Sequence, residues 1–155
     1  MSDFTLRLAT LADVPELLNH RRAMFEDMGS GDAVSLAPML SAFEKYLRDA
    51  IPGGTFRGWF SLAPDGSIAA GCAVAVVPWP PGVWNPQIGR PYILNLYVYP
   101  EYRRQGLARK LTQTCVDWCR IEGFTSVTLH ASDFGRALYE SLGFQQTNEM
   151  RLKLK

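Results

Sequence analysis

The sequence predicts an α/β (α+β) fold: one domain with a central mixed twisted sheet and helices on both faces. Apolar residues recur with a period near two in some segments and near 3.6 in others, in the order β-α-α-β-β-β-α-β-α-β. The second half holds a strand-helix-strand unit, which calls for a parallel pair joined by a right-handed crossover. A length of 155 residues suits a single domain, 1–155, and neither a repeat nor a linker divides it.

Phe4-Thr5-Leu6-Arg7-Leu8 alternates apolar and polar, as a half-buried strand does. Thr10-Leu11-Ala12-Asp13 is a capping-box-like helix start with Asp in place of Glu. The helix runs to about Met28 on Val14, Leu17, Leu18, Met24 and Phe25, and Gly29-Ser30-Gly31-Asp32 breaks it. Ser35 caps a second helix with Pro38 in its first turn, and Leu36, Leu40, Phe43 and Leu47 form one face. Pro52-Gly53-Gly54 ends that helix. Strands at Gly58–Leu62 and Ile68–Val77 flank the turn Pro64-Asp65-Gly66-Ser67. Pro78–Pro91, with five prolines, two glycines, Trp79 and Trp84, is a long irregular loop. Tyr92–Tyr99 is a continuous β-branched and aromatic run, the mark of a strand covered on both faces. A helix from about Gln105 carries Leu107, Leu111, Cys115 and Trp118 on one stripe. Ser126–Ala131 is a strand, Phe134–Leu142 a short helix with Gly143 as its cap, and the alternating Glu149–Lys155 a closing strand.

A net charge of +1 provides no global field for nucleic acid or an anionic membrane. No run approaches the ~20 apolar residues of a membrane helix, and MSDFTLRLAT lacks a basic region followed by an apolar one. Cys72, Cys115 and Cys119 are odd in number, and the last two fall at i,i+4 in an apolar pattern. Neither a disulfide framework nor a metal site is expected, and the expected compartment is the cytoplasm.

Chemistry concentrates where a buried strand meets an amphipathic helix, in Leu96-Tyr97-Val98-Tyr99-Pro100-Glu101-Tyr102-Arg103-Arg104-Gln105-Gly106-Leu107-Ala108-Arg109-Lys110. The first amides of a helix lack intrahelical partners and carry partial positive charge, so they bind phosphate. Gly106 and Ala108 keep bulky side chains away from such a ligand. Arg103, Arg104, Arg109 and Lys110 add four cations around the turn, against one Glu101. The segment has neither the Gly-Lys-Ser/Thr of a Walker loop nor Gly-x-Gly-x-x-Gly.

This loop resembles motif A of the GNAT acetyltransferase superfamily, Gln/Arg-x-x-Gly-x-Gly/Ala. The segment His130-Ala131-Ser132-Asp133-Phe134-Gly135-Arg136-Ala137-Leu138-Tyr139 through Gly143-Phe144 resembles its motif B, with Ser132 at the usual Asn position and Gly135 at the usual Ala position. The resemblance implies acetyl-CoA as acyl donor and an amine, small or on a peptide or protein, as acceptor. It places the pyrophosphate against Arg104, Gln105, Gly106, Leu107, Ala108 and Arg109. The backbone of Leu96, Tyr97 and Val98 and the side chain of Ser132 then meet the pantetheine arm, which lies in a splay opened by a bulge. Tyr139 falls on the position that often protonates the departing thiolate. From its helix alone, Tyr139 reads equally as a half-buried core aromatic.

The base stays open. Relatives often carry Glu or Asp where this chain has Asn95, which cannot serve. His130 has a suitable intrinsic pKa, though an ordinary polar side chain at a strand end fits it too. Glu26 and water are further candidates. His20, beside Arg21 and Arg22, reads as a solvated face. The acceptor site is expected at Phe25, Glu26 and Asp27 with Trp79 and Trp84. A non-catalytic acyl-CoA sensor is the competing reading; a homodimer is open, and the basic patch is too short for nucleic acid to be the partner.

Overall fold

The computed structural model describes residues 3–155. Strand β1 (Thr5–Leu8) leads through a 3-10 turn at Leu11–Asp13 into helix α1 (Val14–Asp27) and then α2 (Ala33–Gly53). Strands β2 (Phe56–Leu62), β3 (Ile68–Val77) and β4 (Arg90–Val98) follow. A 3-10 turn at Pro100–Tyr102 precedes α3 (Leu107–Ile121), β5 (Thr128–Leu129) and α4 (Arg136–Ser141). The sheet order is β1-β2-β3-β4-β5, antiparallel except for the parallel pair β4–β5. That pair is the one the crossover rule anticipated, with α3 as the crossover.

The predicted cap at Thr10 forms: its amide donates to Asp13 Oδ2 at 2.7 Å, and Arg7 grips both oxygens of the same carboxylate at 2.8 Å. α2 begins before Ser35. Asp32 is its cap, accepting from the Ser35 amide at 2.8 Å, while Ser35 Oγ accepts from the Asp32 amide at 2.9 Å. Two residues able to cap form one reciprocal box, and the helix starts at the first of them. Pro38 therefore lies inside the helix, beyond its first turn, and Pro52 and Gly53 belong to the last turn before Gly54 caps it with φ 76°.

Two apolar clusters, one per face, hold the sheet. Val14 and Leu17 of α1 and Phe43 and Leu47 of α2 pack on Phe56, Phe60, Ala73 and Ala75. Leu107, Leu111, Cys115 and Cys119 of α3 pack on Trp59, Ala70, Cys72, Val74 and Ile93. Each such aliphatic side chain contributes ~1.5–3 kcal/mol on burial. All three cysteines are buried and free.

The closing strand expected at Glu149–Lys155 does not form. The segment pairs with no strand, and Met150, Leu152 and Leu154 stay exposed. Its alternation is real, but β5 is two residues long and offers it almost no ladder. No helix among the described residues is long and apolar enough to cross a membrane.

Candidate active site

The strand expected to open the sheet carries a bulge. Gly71 lies opposite Tyr97 and Ala73 opposite Leu94, so two steps along β3 match three along β4. Asn95 takes the extra place with φ 60°, a left-handed conformation that Asn tolerates better than most residues. Leu94 consequently packs toward α1 and α2, as Asn95 does by donating its Nδ2 to Leu17 O at 3.1 Å, while Leu96 packs toward α3. On the other side, β4 pairs with β5 only at Tyr92–Thr128 and Ile93–Leu129. From Leu94 onward that edge is open. Tyr99 turns its amide to Ala69 O of β3, so alternation directs the amide of Val98 to the open side.

Gly106 caps α3 with φ 80°. Lys110 is the first amide to bond back, to Gly106 O at 3.0 Å, which leaves the amides of Leu107, Ala108 and Arg109 pointing out of the helix. A Cβ built on Gly106 meets no atom within 4 Å, so the cap position itself is open. The cations are not equivalent. Arg103 bonds Val98 O at 3.0 Å and Asp27 Oδ2 at 2.7 Å, tying the loop to α1 instead of reaching outward. Arg109 reaches Ser141 Oγ at 2.6 Å and Lys110 reaches Phe4 O at 3.2 Å, while Arg104, with φ 63°, is exposed on the loop itself.

Tyr139 and His130 line one cleft of about 940 Å³ together with Tyr92, Arg136 and Glu149. Tyr139 is 9% exposed and edge-on to Phe144. Burial, then the neighbouring Cys72 and Cys115, push its hydroxyl well above the ordinary phenol range, so it keeps its proton at neutral pH. Ser132 Oγ accepts from the Gly135 amide at 3.1 Å and turns the chain into α4. A Cβ on Gly135 would sit 2.8 Å from Tyr139 Cε2, which accounts for glycine there. His130 Nδ1 bonds the Tyr92 hydroxyl, and its Nε2 lies 3.2 Å from Arg151 Nη2. Because Arg can only donate, the neutral ring carries its proton on Nδ1 in this arrangement.

A model of the acetyltransferase (GNAT) family matches residues 16–144, which span both the bulged strand and the open loop. The chain belongs to the acetyltransferase (GNAT) family. It is similar to a GCN5-related N-acetyltransferase from Ralstonia eutropha JMP134, at 33% identity and a TM-score of 0.91, over 98% of this chain and 99% of that one. A predicted acetyltransferase from Clostridium acetobutylicum, solved with acetyl-CoA, is 25% identical with a TM-score of 0.87, over 99% and 96% of the two chains. The probable N-acetyltransferase family 8 member 5 of Mus musculus is 32% identical over 98 residues, 60% of this chain and 41% of that protein. The chain spans less than half the length of the curated relatives it matches.

Within this GNAT domain the expected acceptor residues do not all converge. Trp79 lies under Arg90, whose Cζ is 5.0 Å from a Trp79 ring. Arg90 also binds Glu149 at 3.1 Å, and Glu149 lies 3.9 Å from His130 Nε2, so Trp79 packs on an arginine that lines the cleft. Trp84 instead is exposed, with its carbonyl held by Thr125 Oγ1 at 2.6 Å. Phe25 is half-buried beside Arg21, and Glu26 is exposed. His20 is not solvated. It is fully buried against Phe60, Tyr97 and Tyr99. Its Nε2 is 3.1 Å from Glu16 Oε1 but lacks hydrogen-bond geometry, and the Tyr99 hydroxyl takes that oxygen at 2.6 Å. Sequence reasoning also passed over Tyr92 and Arg21. Arg21 falls one helical turn after Leu17 on the buried stripe, a spacing that signals a covered arginine.

Proposed function

We propose that the protein moves an acetyl group from acetyl-CoA to a primary amine by direct transfer in a ternary complex. The observation that carries this is the open Gly106 cap over three unpaired helix amides, beside a β4 edge that β5 leaves free from Leu94 onward. Acetyl-CoA supplies a thioester carbonyl and a thiol leaving group. The amides of Leu107, Ala108 and Arg109, with Arg104 and Gln105, hold the pyrophosphate. The open edge of Leu96, Tyr97 and Val98 holds the pantetheine arm as an added strand would, with Ser132 across the splay. The Val98 amide faces the side where negative charge grows on the carbonyl oxygen, and it donates there.

An alkylammonium has a pKa of roughly 10 and must lose a proton before it attacks. His130 accepts that proton at Nε2, and its Nδ1–H stays on the Tyr92 oxygen. Uptake requires Arg151 to move off Nε2. Tyr139 donates its hydroxyl proton to the departing sulfur and is reprotonated from water. The acceptor enters past Phe25, Glu26 and Trp79, and Trp84 takes no part. No side-chain nucleophile is needed, in keeping with three buried thiols.

The test is calorimetric titration with acetyl-CoA followed by an assay of CoA release over a panel of amines. Saturable binding with amine-dependent release supports transfer. Binding without release over the whole panel supports the acyl-CoA sensor, and no binding sinks both.

A further inference from the structure

We propose that Arg21 anchors a carboxylate on the acceptor, so that the acceptors are amino acids or similar amines carrying a carboxylate near the reacting nitrogen. This rests on the acetyl-transfer reading and names the substrate class for it. Five arginines of the described chain have carboxylate partners within 4 Å: Arg7, Arg48, Arg90, Arg103 and Arg120. Arg21 has none there, although it is only partly exposed. Its Nε is buried and meets no hydrogen-bond partner. A guanidinium partly withdrawn from water, with its Nε buried and no carboxylate beside it, has room in its charge balance for an anion.

The surroundings define the anion. The Arg21 Cζ lies 4.5 Å from the Phe43 ring centre and 5.3 Å from that of Phe25. These rings orient the planar fork and lower the local polarity, conditions that strengthen a charge-assisted pair. Tyr92 and Tyr46 are its electrostatic neighbours, and the exposed edge of Tyr46 gives access from solvent. A single guanidinium balances the single charge of a carboxylate and matches its two oxygens with its planar fork. Tyr92 also bonds His130, so it joins the anion site to the proton-accepting group. Burial lowers the pKa of Arg21, in line with a cation that lacks a partner.

The test compares amino acids with their methyl esters as acceptors for the wild type, Arg21→Met and Arg21→Lys. Met preserves an apolar stem against Phe43, and Lys preserves the charge without the fork. The wild type should prefer the acids by roughly tenfold or more in kcat/KM, the scale of one charged hydrogen bond. Arg21→Met should lose that preference through the KM of the acid, with the KM for acetyl-CoA unchanged, and Arg21→Lys should keep part of it. Equal use of acids and esters by the wild type, or a preference that survives in Arg21→Met, overturns the proposal. Should neither set be acetylated, titration of amino acids into the protein–CoA complex decides: binding lost in Arg21→Met supports the anchor, and no binding overturns it. Absence of acetyl-CoA binding would instead sink the transfer reading itself.

Discussion

Arg103 Nη2 lies 2.7 Å from Asp27 Oδ2, joining the loop before α3 to the last residue of α1. The same guanidinium holds Val98 O through Nε. One side chain thus fixes the loop before α3, the open strand edge and helix α1. Both partners are about half exposed, at 45% and 51%. Asp27→Asn should therefore cost less than about 1 kcal/mol of stability. The KM for acetyl-CoA should nevertheless rise severalfold, because the loop loses its tether. Urea melts and steady-state kinetics on the one variant separate the two effects.

Gly106→Trp should remove acetyl-CoA binding in a folded protein. Its φ of 80° costs a side chain ~1–2 kcal/mol, and the indole fills the space over the helix amides. Calorimetry showing wild-type affinity in a variant with a normal circular dichroism spectrum would refute the phosphate cradle.

Tyr139→Phe should lower kcat by on the order of 10²-fold while acetyl-CoA affinity changes little, as expected for loss of a general acid. Gly135→Ala should lower kcat too, because its methyl would press on the Tyr139 ring at 2.8 Å. Adding Gly135→Ala to Tyr139→Phe should then cost far less than it does alone. Additive losses would show that glycine at 135 serves something other than the tyrosine.

His130→Ala should flatten the acidic limb of the kcat/KM profile, since a base must be unprotonated to work. An unchanged limb would leave deprotonation to water or another group.

Stability should fall on acidification because of His20. Burial lowers its pKa from 6.5, so below that pH the unfolded chain binds a proton that the native core excludes. The contribution is full above about 6.5 and is lost as the pH drops toward the folded value. Urea midpoints between pH 7 and 5 should decline less steeply in His20→Leu than in the wild type.

The loop at Gly106 was legible in the sequence because every part of it is local: a strand, a proline, a basic turn, a glycine and an amphipathic helix are contiguous. The face assignments of α2 and α3 were legible for the same reason. What was missed depends on partners distant in the chain. His20 is buried because Gly71 leaves room for its ring, with a Cβ there only 2.8 Å from His20 Nδ1. Asn95 could be recognised as a lost base but not as the bulge residue, since only pairing with Gly71 and Ala73 reveals the extra place. The alternation of Glu149–Lys155 was read correctly as a pattern and wrongly as a strand, because a strand also needs an edge to join.

The two-residue ladder between β4 and β5 makes the carboxyl-terminal third of the sheet the least firmly hydrogen-bonded part of the fold. Segments joined by so few backbone bonds open independently of global unfolding. Amide exchange should begin at β5 and α4 while β2 and β3 remain protected. A molecule wedged along β4 would slow that exchange selectively, so the acyl donor would double as a structural splint for the half of the protein that carries Tyr139.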